Sequence, residues 1–176
     1  MDKNGWIRRA KHGDVQAFGE LYKTVYKKLY SYAFYTLKNP QDAEDVVSEA
    51  VTDAFASIKS LRNEEAFEQW IYRIVVNKCN RKLREYYEKR REEPEESLDV
   101  LPECKEAFDT VRIETLELKT ALMTLSEQER SILLLHVLFG YKTKEIAAVL
   151  DLNENTVRSK ESRALKKLAE QLRDSK

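Results

Sequence analysis

The chain has 176 residues, 42% hydrophobic and 35% charged, with Lys plus Arg and Asp plus Glu equal at 31 each. That length makes one large domain or two small ones, and only four Gly and three Pro leave too little turn chemistry for a sheet protein, so long helices are expected. Cys79 and Cys104 are too few for a disulfide framework, no apolar run reaches the ~18 residues of a membrane span, and residues 1–13 carry no signal-peptide stretch; a cytoplasmic chain without membrane insertion is expected.

The zero net charge hides an uneven distribution. Residues 1–91 hold 18 basic and 13 acidic side chains, residues 92–117 hold 2 and 10, and residues 118–176 hold 11 and 8. Two mildly basic blocks therefore flank an acidic connector, a pattern that points to a charged partner.

Four helical patterns fill the first block. A short one covers Lys3 to Lys11. A second runs from Val15 to Leu37, apolar at Phe18, Leu21, Tyr22, Val25, Leu29 and Ala33. Asn39 suits the cap of a third, with Pro40 at its first position and a stripe from Ala43 to Ile58. Asn63 caps a fourth, with Phe67, Trp70, Ile71, Ile74, Val75 and Cys79 inward, reaching about Arg91. Pro94, Pro102 and a run of Glu make residues 92–106 a solvated linker. Helical period returns near Ala107, and Ser126 with Glu129 forms a capping box for a helix that stops at Gly140.

Residues 143–160 have the pattern of a helix-turn-helix. Ile146, Ala147 and Leu150 belong to its first helix, Asp151-Leu152-Asn153 is the turn, and Val157 begins the inner face of the second. Asp151 stands where such turns favour Gly, because the backbone needs a positive φ. With Val157, Ala164, Leu165 and Leu168 inward, the second helix can present Arg158, Ser159, Lys160, Ser162, Arg163, Lys166 and Lys167. A recognition helix needs polar groups for base edges and cations for phosphates. Glu161 interrupts this set; it is expected to pair with Lys160 or Lys166, the alternative being a contact to a cytosine amino group.

A second basic run, Lys78, Arg81, Lys82, Arg84, Lys89, Arg90 and Arg91, lies along the end of the fourth helix, with Trp70, Tyr72, Tyr86, Asn77 and Asn80 among or before it. Cations interleaved with aromatics and amides suit unpaired DNA, although an amphipathic helix with core aromatics gives the same composition, and Trp70 fits a core at least as well as a DNA wedge. The acids Asp42, Glu44, Asp45 and Glu49 cluster near the start of the third helix, where the helix dipole favours carboxylates in any case.

Several segments, taken in order, resemble the extracytoplasmic-function (ECF) sigma factors of the sigma-70 family. They are Ile7-Arg8-Arg9-Ala10 through Leu21-Tyr22, Asp42-Ala43-Glu44-Asp45-Val46-Val47-Ser48-Glu49-Ala50, Ala66-Phe67-Glu68-Gln69-Trp70 through Asn77, and Ala121-Leu122 through Arg163-Ala164. The resemblance implies an all-α fold of two small domains: a four-helix region 2 over 1–91 and a helix-turn-helix region 4 over 107–176, joined by the acidic linker of 92–106. It implies bacterial RNA polymerase core (clamp and flap), promoter DNA and an anti-sigma factor as partners. It assigns polymerase binding to Asp42, Glu44, Asp45, Val46 and Glu49, and the minus-ten element to Leu61, Arg62, Trp70, Arg73, Asn77, Lys78, Asn80 and Arg81. Capture of a flipped non-template base accounts for amides and aromatics in that set. The minus-thirty-five element falls to the Arg158–Lys167 set above. Leu61 stands where relatives are often aromatic, which bears on promoter sequence rather than family.

Other classes fit less of the chain. A stand-alone helix-turn-helix regulator leaves residues 1–91 unexplained, and a helical adaptor that binds only protein predicts no effect on DNA. An enzyme is not expected: there is no Gly-rich phosphate loop, and His12 and His136 lack Cys or His neighbours at metal-ligand spacing, so no cofactor or metal is expected. His136 lies near an apolar helical face and reads as structural.

Overall fold

The computed structural model describes residues 2–92 and 116–174, and every regular element among them is helical. The expected linker and the boundary at residue 107 fall outside the described residues, as does Cys104. The first unit comprises α1 (Lys3–Lys11), α2 (Val15–Leu37), α3 (Pro40–Ser57), two single 3-10 turns (Ile58–Ser60 and Glu64–Ala66) and α4 (Phe67–Glu92). The second comprises α5 (Leu116–Thr124), α6 (Glu127–Phe139), α7 (Thr143–Leu150) and α8 (Glu154–Asp174).

Local chemistry sets the boundaries. Asp14 caps α2 by accepting from the Ala17 N–H at 3.0 Å, and Arg9 braces the same carboxylate. These hydrogen bonds to the charged form, the Ala17 amide foremost, hold the Asp14 carboxyl below its ordinary pKa. Lys38 ends α2 at φ 56°, a left-handed conformation that lets Asn39 turn and cap α3 through the Asp42 N–H. The capping box expected at Ser126 is present, and Gly140 ends α6 at φ 67°. Asp151 adopts φ 54°, the positive φ read from the turn sequence.

In the first unit α2 is the central helix, packed on α1, α3 and α4. Its lower half is buried on nearly every side, from Leu29 to Leu37, because the second unit covers the face that its own unit leaves open. The covering element is α6, which packs α2 on one side and α7 and α8 on the other. The sequence of α6 shows why: Ile132, Leu133, Leu134, Leu135, Leu138 and Phe139 are all buried, too many for a single stripe.

The seam between the units is aromatic at its centre. Phe139 stacks on Tyr72 of α4 with centroids 4.0 Å apart and rings within 7° of parallel, and packs at 5.0 Å against Tyr32 of α2. Tyr141, just past Gly140, donates its hydroxyl to the Gln69 carbonyl at 3.2 Å. At the other end Tyr87 of α4 donates to the Glu127 carboxylate. The seam is also where polar groups go unmet. Tyr32 Oη and Thr36 Oγ1 are buried close to one another, with Ser131 beside Tyr32, without a hydrogen bond of ordinary length, and Arg130 Nε is buried without one among the described residues. Each such group costs about 1–3 kcal/mol relative to its hydrated state. The seam thus combines a strong apolar contact with polar atoms that would be better solvated apart.

Candidate nucleic-acid and polymerase interfaces

The residues expected to read the minus-ten element divide between two sides of α4. Trp70, Arg73, Asn77 and Asn80 recur at the spacing of one helical face, with Arg73 and Asn77 exposed and Trp70 and Asn80 half-buried. Arg62 is exposed in the loop leading to this face. Leu61 is corrected: its side chain is 5% exposed and packs into the core. The 3-10 turn before it carries Ile58 inward, and Leu61 follows one turn later on the same side, so Leu61 anchors the loop and the exposed positions are Arg62 and Asn63.

This face borders a cleft of about 460 Å³. One wall is Arg62, Asn63, Trp70 and Arg73; the other is Tyr141, Glu145 and Val149 of the second unit. Further along α4, Asn80 and Arg84 face Glu127 and the Leu150–Leu152 turn across a smaller cleft of about 190 Å³. The second unit therefore stands over the α4 reading face along its length.

Lys78 and Arg81 do not join that face. They turn toward α3 and enter an ion-pair seam. Lys78 Nζ lies 3.2 Å from Glu49 and 2.8 Å from Asp53, and Arg81 lies 3.0 Å from Glu49. One turn on, Lys82 pairs with Asp42 at 3.0 Å and Tyr86 donates to the same carboxylate. Burial alone would raise the Asp42 carboxyl, but the Tyr86 hydrogen bond and the Lys82 ammonium outweigh it and hold its pKa below the ordinary value. Asp42 in turn raises Lys82.

The α3 residues expected to bind polymerase are accordingly of three kinds. Glu44 and Asp45 are exposed on the outer side of the helix. Asp42 and Glu49 face α4 and its cations. Val46 is corrected: at 5% exposure it belongs to the core, on the stripe with Ala43, Val47, Ala50 and Ala54, and presents no side chain to a partner.

On α8 the expected minus-thirty-five residues form a cleaner surface. Arg158, Ser159, Ser162, Arg163 and Lys166 are all exposed and, at about 100° per residue, fall within one side of the helix. Arg158 makes an (i, i+4) pair with Glu154 at 3.4 Å, and Arg163 Nε donates to the Ser159 carbonyl. Lys160 is half-buried at the edge of this side. Lys167 is committed elsewhere: its ammonium sits 2.9 Å from Glu129, the 4%-exposed acid of the α6 capping box. Lys167 and the Ser126 groups outweigh burial and depress the Glu129 carboxyl pKa.

Two further expectations change. Glu161 pairs neither with Lys160 nor with Lys166 but lies 3.3 Å from His136 Nδ1, across the α6–α8 contact. Leu165 is 53% exposed, because Val157, Ala164 and Leu168 define an inner direction that leaves it at the rim. The seam aromatics Phe139 and Tyr141 were not singled out from sequence; the signal was an α6 apolar on all sides that ends between two aromatics.

Residues 21–90 match the family described as Sigma-70 region 2, and residues 115–168 match Sigma-70, region 4. The ECF RNA polymerase sigma factor SigM of Mycobacterium tuberculosis is 32% identical over 159 residues, spanning 89% of this chain and 78% of that one. RNA polymerase sigma factor SigV of Bacillus subtilis is 34% identical over 145 residues, spanning 81% and 83%. Among solved structures, the sigma factor RpoE in complex with the anti-sigma factor NepR from Bartonella quintana superposes with a TM-score of 0.66 at 24% identity, covering 90% of this chain and 98% of that one. CnrH, solved with the cytosolic domain of CnrY, gives 0.63 at 21% identity, covering 99% and 100%. The two units are thus sigma regions 2 and 4 in order, and the chain belongs to the ECF branch of the sigma-70 family, the sigma factors that direct RNA polymerase to promoters.

Proposed function

We propose that α4 reads the minus-ten element through Arg62, Trp70, Arg73, Asn77 and Asn80, that α8 reads the minus-thirty-five element through Arg158, Ser159, Ser162, Arg163 and Lys166, and that the exposed acids of α3, Glu44, Asp45 and Glu49, dock on the polymerase clamp. The observation that carries this reading is the pair of exposed polar and cationic helix faces, one on each unit. The face on α8 has the exposed arginines that duplex reading needs, and the face on α4 has amides and an aromatic beside cations, suited to bases out of the stack.

The two elements lie about 25 base pairs apart, about 85 Å of duplex at ~3.4 Å per pair. The seam instead packs α7 against α4. Engagement of both elements therefore requires the units to part, and polymerase core is the body that holds them at promoter spacing. An anti-sigma factor that binds the packed form is the natural antagonist; the similarly folded sigma factor RpoE was solved in complex with the anti-sigma factor NepR. No described helix is long and apolar enough to cross a membrane.

The test is run-off transcription of fragmented genomic DNA by bacterial core polymerase with and without the protein. New discrete transcripts sharing two upstream elements are expected. A folded protein that binds DNA alone and yields no new transcript would instead be an ordinary helix-turn-helix regulator.

A further inference from the structure

Glu49 stands where two proposed surfaces meet. It belongs to the α3 acids assigned to the clamp, and its Oε2 accepts from Lys78 Nζ at 3.2 Å and from Arg81 Nη2 at 3.0 Å. The two cations are not held alike. Lys78 has a second carboxylate, Asp53, at 2.8 Å, and its side chain is 11% exposed. Arg81 is 63% exposed, and its only other acid in reach among the described residues, Glu85, is 3.9 Å away. Loss of Glu49 would leave Lys78 anchored and set Arg81 loose at the surface.

We propose that Glu49 is a shared contact that couples polymerase docking to DNA capture: in the free chain it neutralises Arg81, and a basic surface of the polymerase that takes the carboxylate releases Arg81 to the backbone of unpaired DNA. The inference rests on the assignment of α3 to the clamp and α4 to DNA. An exposed ion pair of this kind is worth about 0–1 kcal/mol, so a competing partner displaces it at little cost. A guanidinium already neutralised by a carboxylate adds little to phosphate binding, because no counterion is released on its account. Coupling of this kind is reciprocal, so bound DNA also tightens docking. Asp42 does not share the role. Its side chain is 19% exposed and pinned by both Lys82 and Tyr86, which makes it a brace between α3 and α4.

The experiment measures binding of the full chain to a short oligo-dT strand over a salt titration. Glu49→Gln is expected to steepen the dependence of log K on log salt by about 0.7, one extra phosphate contact on a single strand. In an Arg81→Ala background the same substitution is expected to change nothing. Glu88→Gln, the same charge change at an exposed position of α4 rather than α3, controls for net charge and is expected to keep the wild-type slope. An unchanged slope in Glu49→Gln, or a gain that survives Arg81→Ala, overturns the proposal. Titration of polymerase core reads the other half, where Glu49→Gln is expected to dock more weakly. Normal docking together with the steeper slope overturns the shared contact through its clamp side while the neutralisation of Arg81 stands, so the two failures are distinguishable.

Discussion

The two candidate reading surfaces of this chain have different surroundings. On α8 the polar stripe from Arg158 to Lys166 faces solvent, and its ion pairs are local ones such as Arg158 with Glu154. On α4 the reading face looks across a cleft at Tyr141, Glu145 and Val149, and the neighbouring cations are held by α3 carboxylates. The contrast matches the partners proposed for the two surfaces. Duplex DNA is present at all times and can be probed by an open surface. Unpaired bases exist only after melting, and an open basic, aromatic face would otherwise collect any single strand in the cell.

The largest effect should come from the seam that maintains this difference. Phe139→Ala removes the ring stacked on Tyr72 and should cost about 3–5 kcal/mol of the stability of the packed form. Both Trp residues, Trp6 and Trp70, lie in the first unit, so tryptophan fluorescence follows that unit and the cleft that Trp70 borders, while far-ultraviolet circular dichroism follows both units. In urea the wild type should give coincident transitions and Phe139→Ala two separate ones. The same variant should bind oligo-dT more tightly and leave duplex binding through α8 unchanged. Coincident transitions in the variant would mean that Phe139 is not what couples the units.

Next in size are the α8 arginines. Arg158→Ala and Arg163→Ala should each cost about 1–3 kcal/mol at the minus-thirty-five element, measured by promoter activity with that element intact and scrambled. The losses should be the same in the packed chain and in Phe139→Ala, because α8 is already open. On α4, Asn77→Ala should be silent for duplex binding and impair open-complex formation. Equal losses in both assays would make Asn77 a structural residue.

Much of the fold was legible in the sequence because its signals are local. Asn39, Ser126, Gly140 and Asp151 act within a turn of themselves, and the period of apolar residues locates each helix. What was not legible arises between helices that are distant in sequence. Lys78 and Arg81 read as part of a single basic run, but helical geometry turns them toward α3, where Glu49 and Asp53 wait on an element 25 or more residues earlier. Val46 and Leu61 carry motif positions yet are apolar, and burial took precedence. Glu161 found His136 rather than a nearby Lys because α8 lies against α6 at that point, a contact no spacing within α8 reveals.

The smallest expected effect concerns how the α8 surface is held. Glu129 is buried between Ser126 and Lys167 with its carboxyl pKa depressed, so its folded-state value lies below the ordinary 4.5. A carboxyl of this kind contributes stability that is fully present above the unfolded value and lost as pH falls through the folded one. The second unit should therefore weaken below about pH 4.5. Glu129→Gln keeps a group that can accept from the Ser126 N–H but loses the charge facing Lys167. It should lower stability near neutrality and flatten the acid limb of the α5–α8 unit. In a Phe139→Ala background, where the units unfold separately, Asp42, depressed in the same sense on the first unit, should leave that unit's acid limb intact in Glu129→Gln. Following the two units separately, by tryptophan fluorescence for the first and a probe on α8 for the second, tests this. A flattened acid limb in both units of that double variant would mean that the seam still transmits the titration of one into the other without Phe139, and that the open surface on α8 and the cleft-facing surface on α4 remain parts of a single cooperative body.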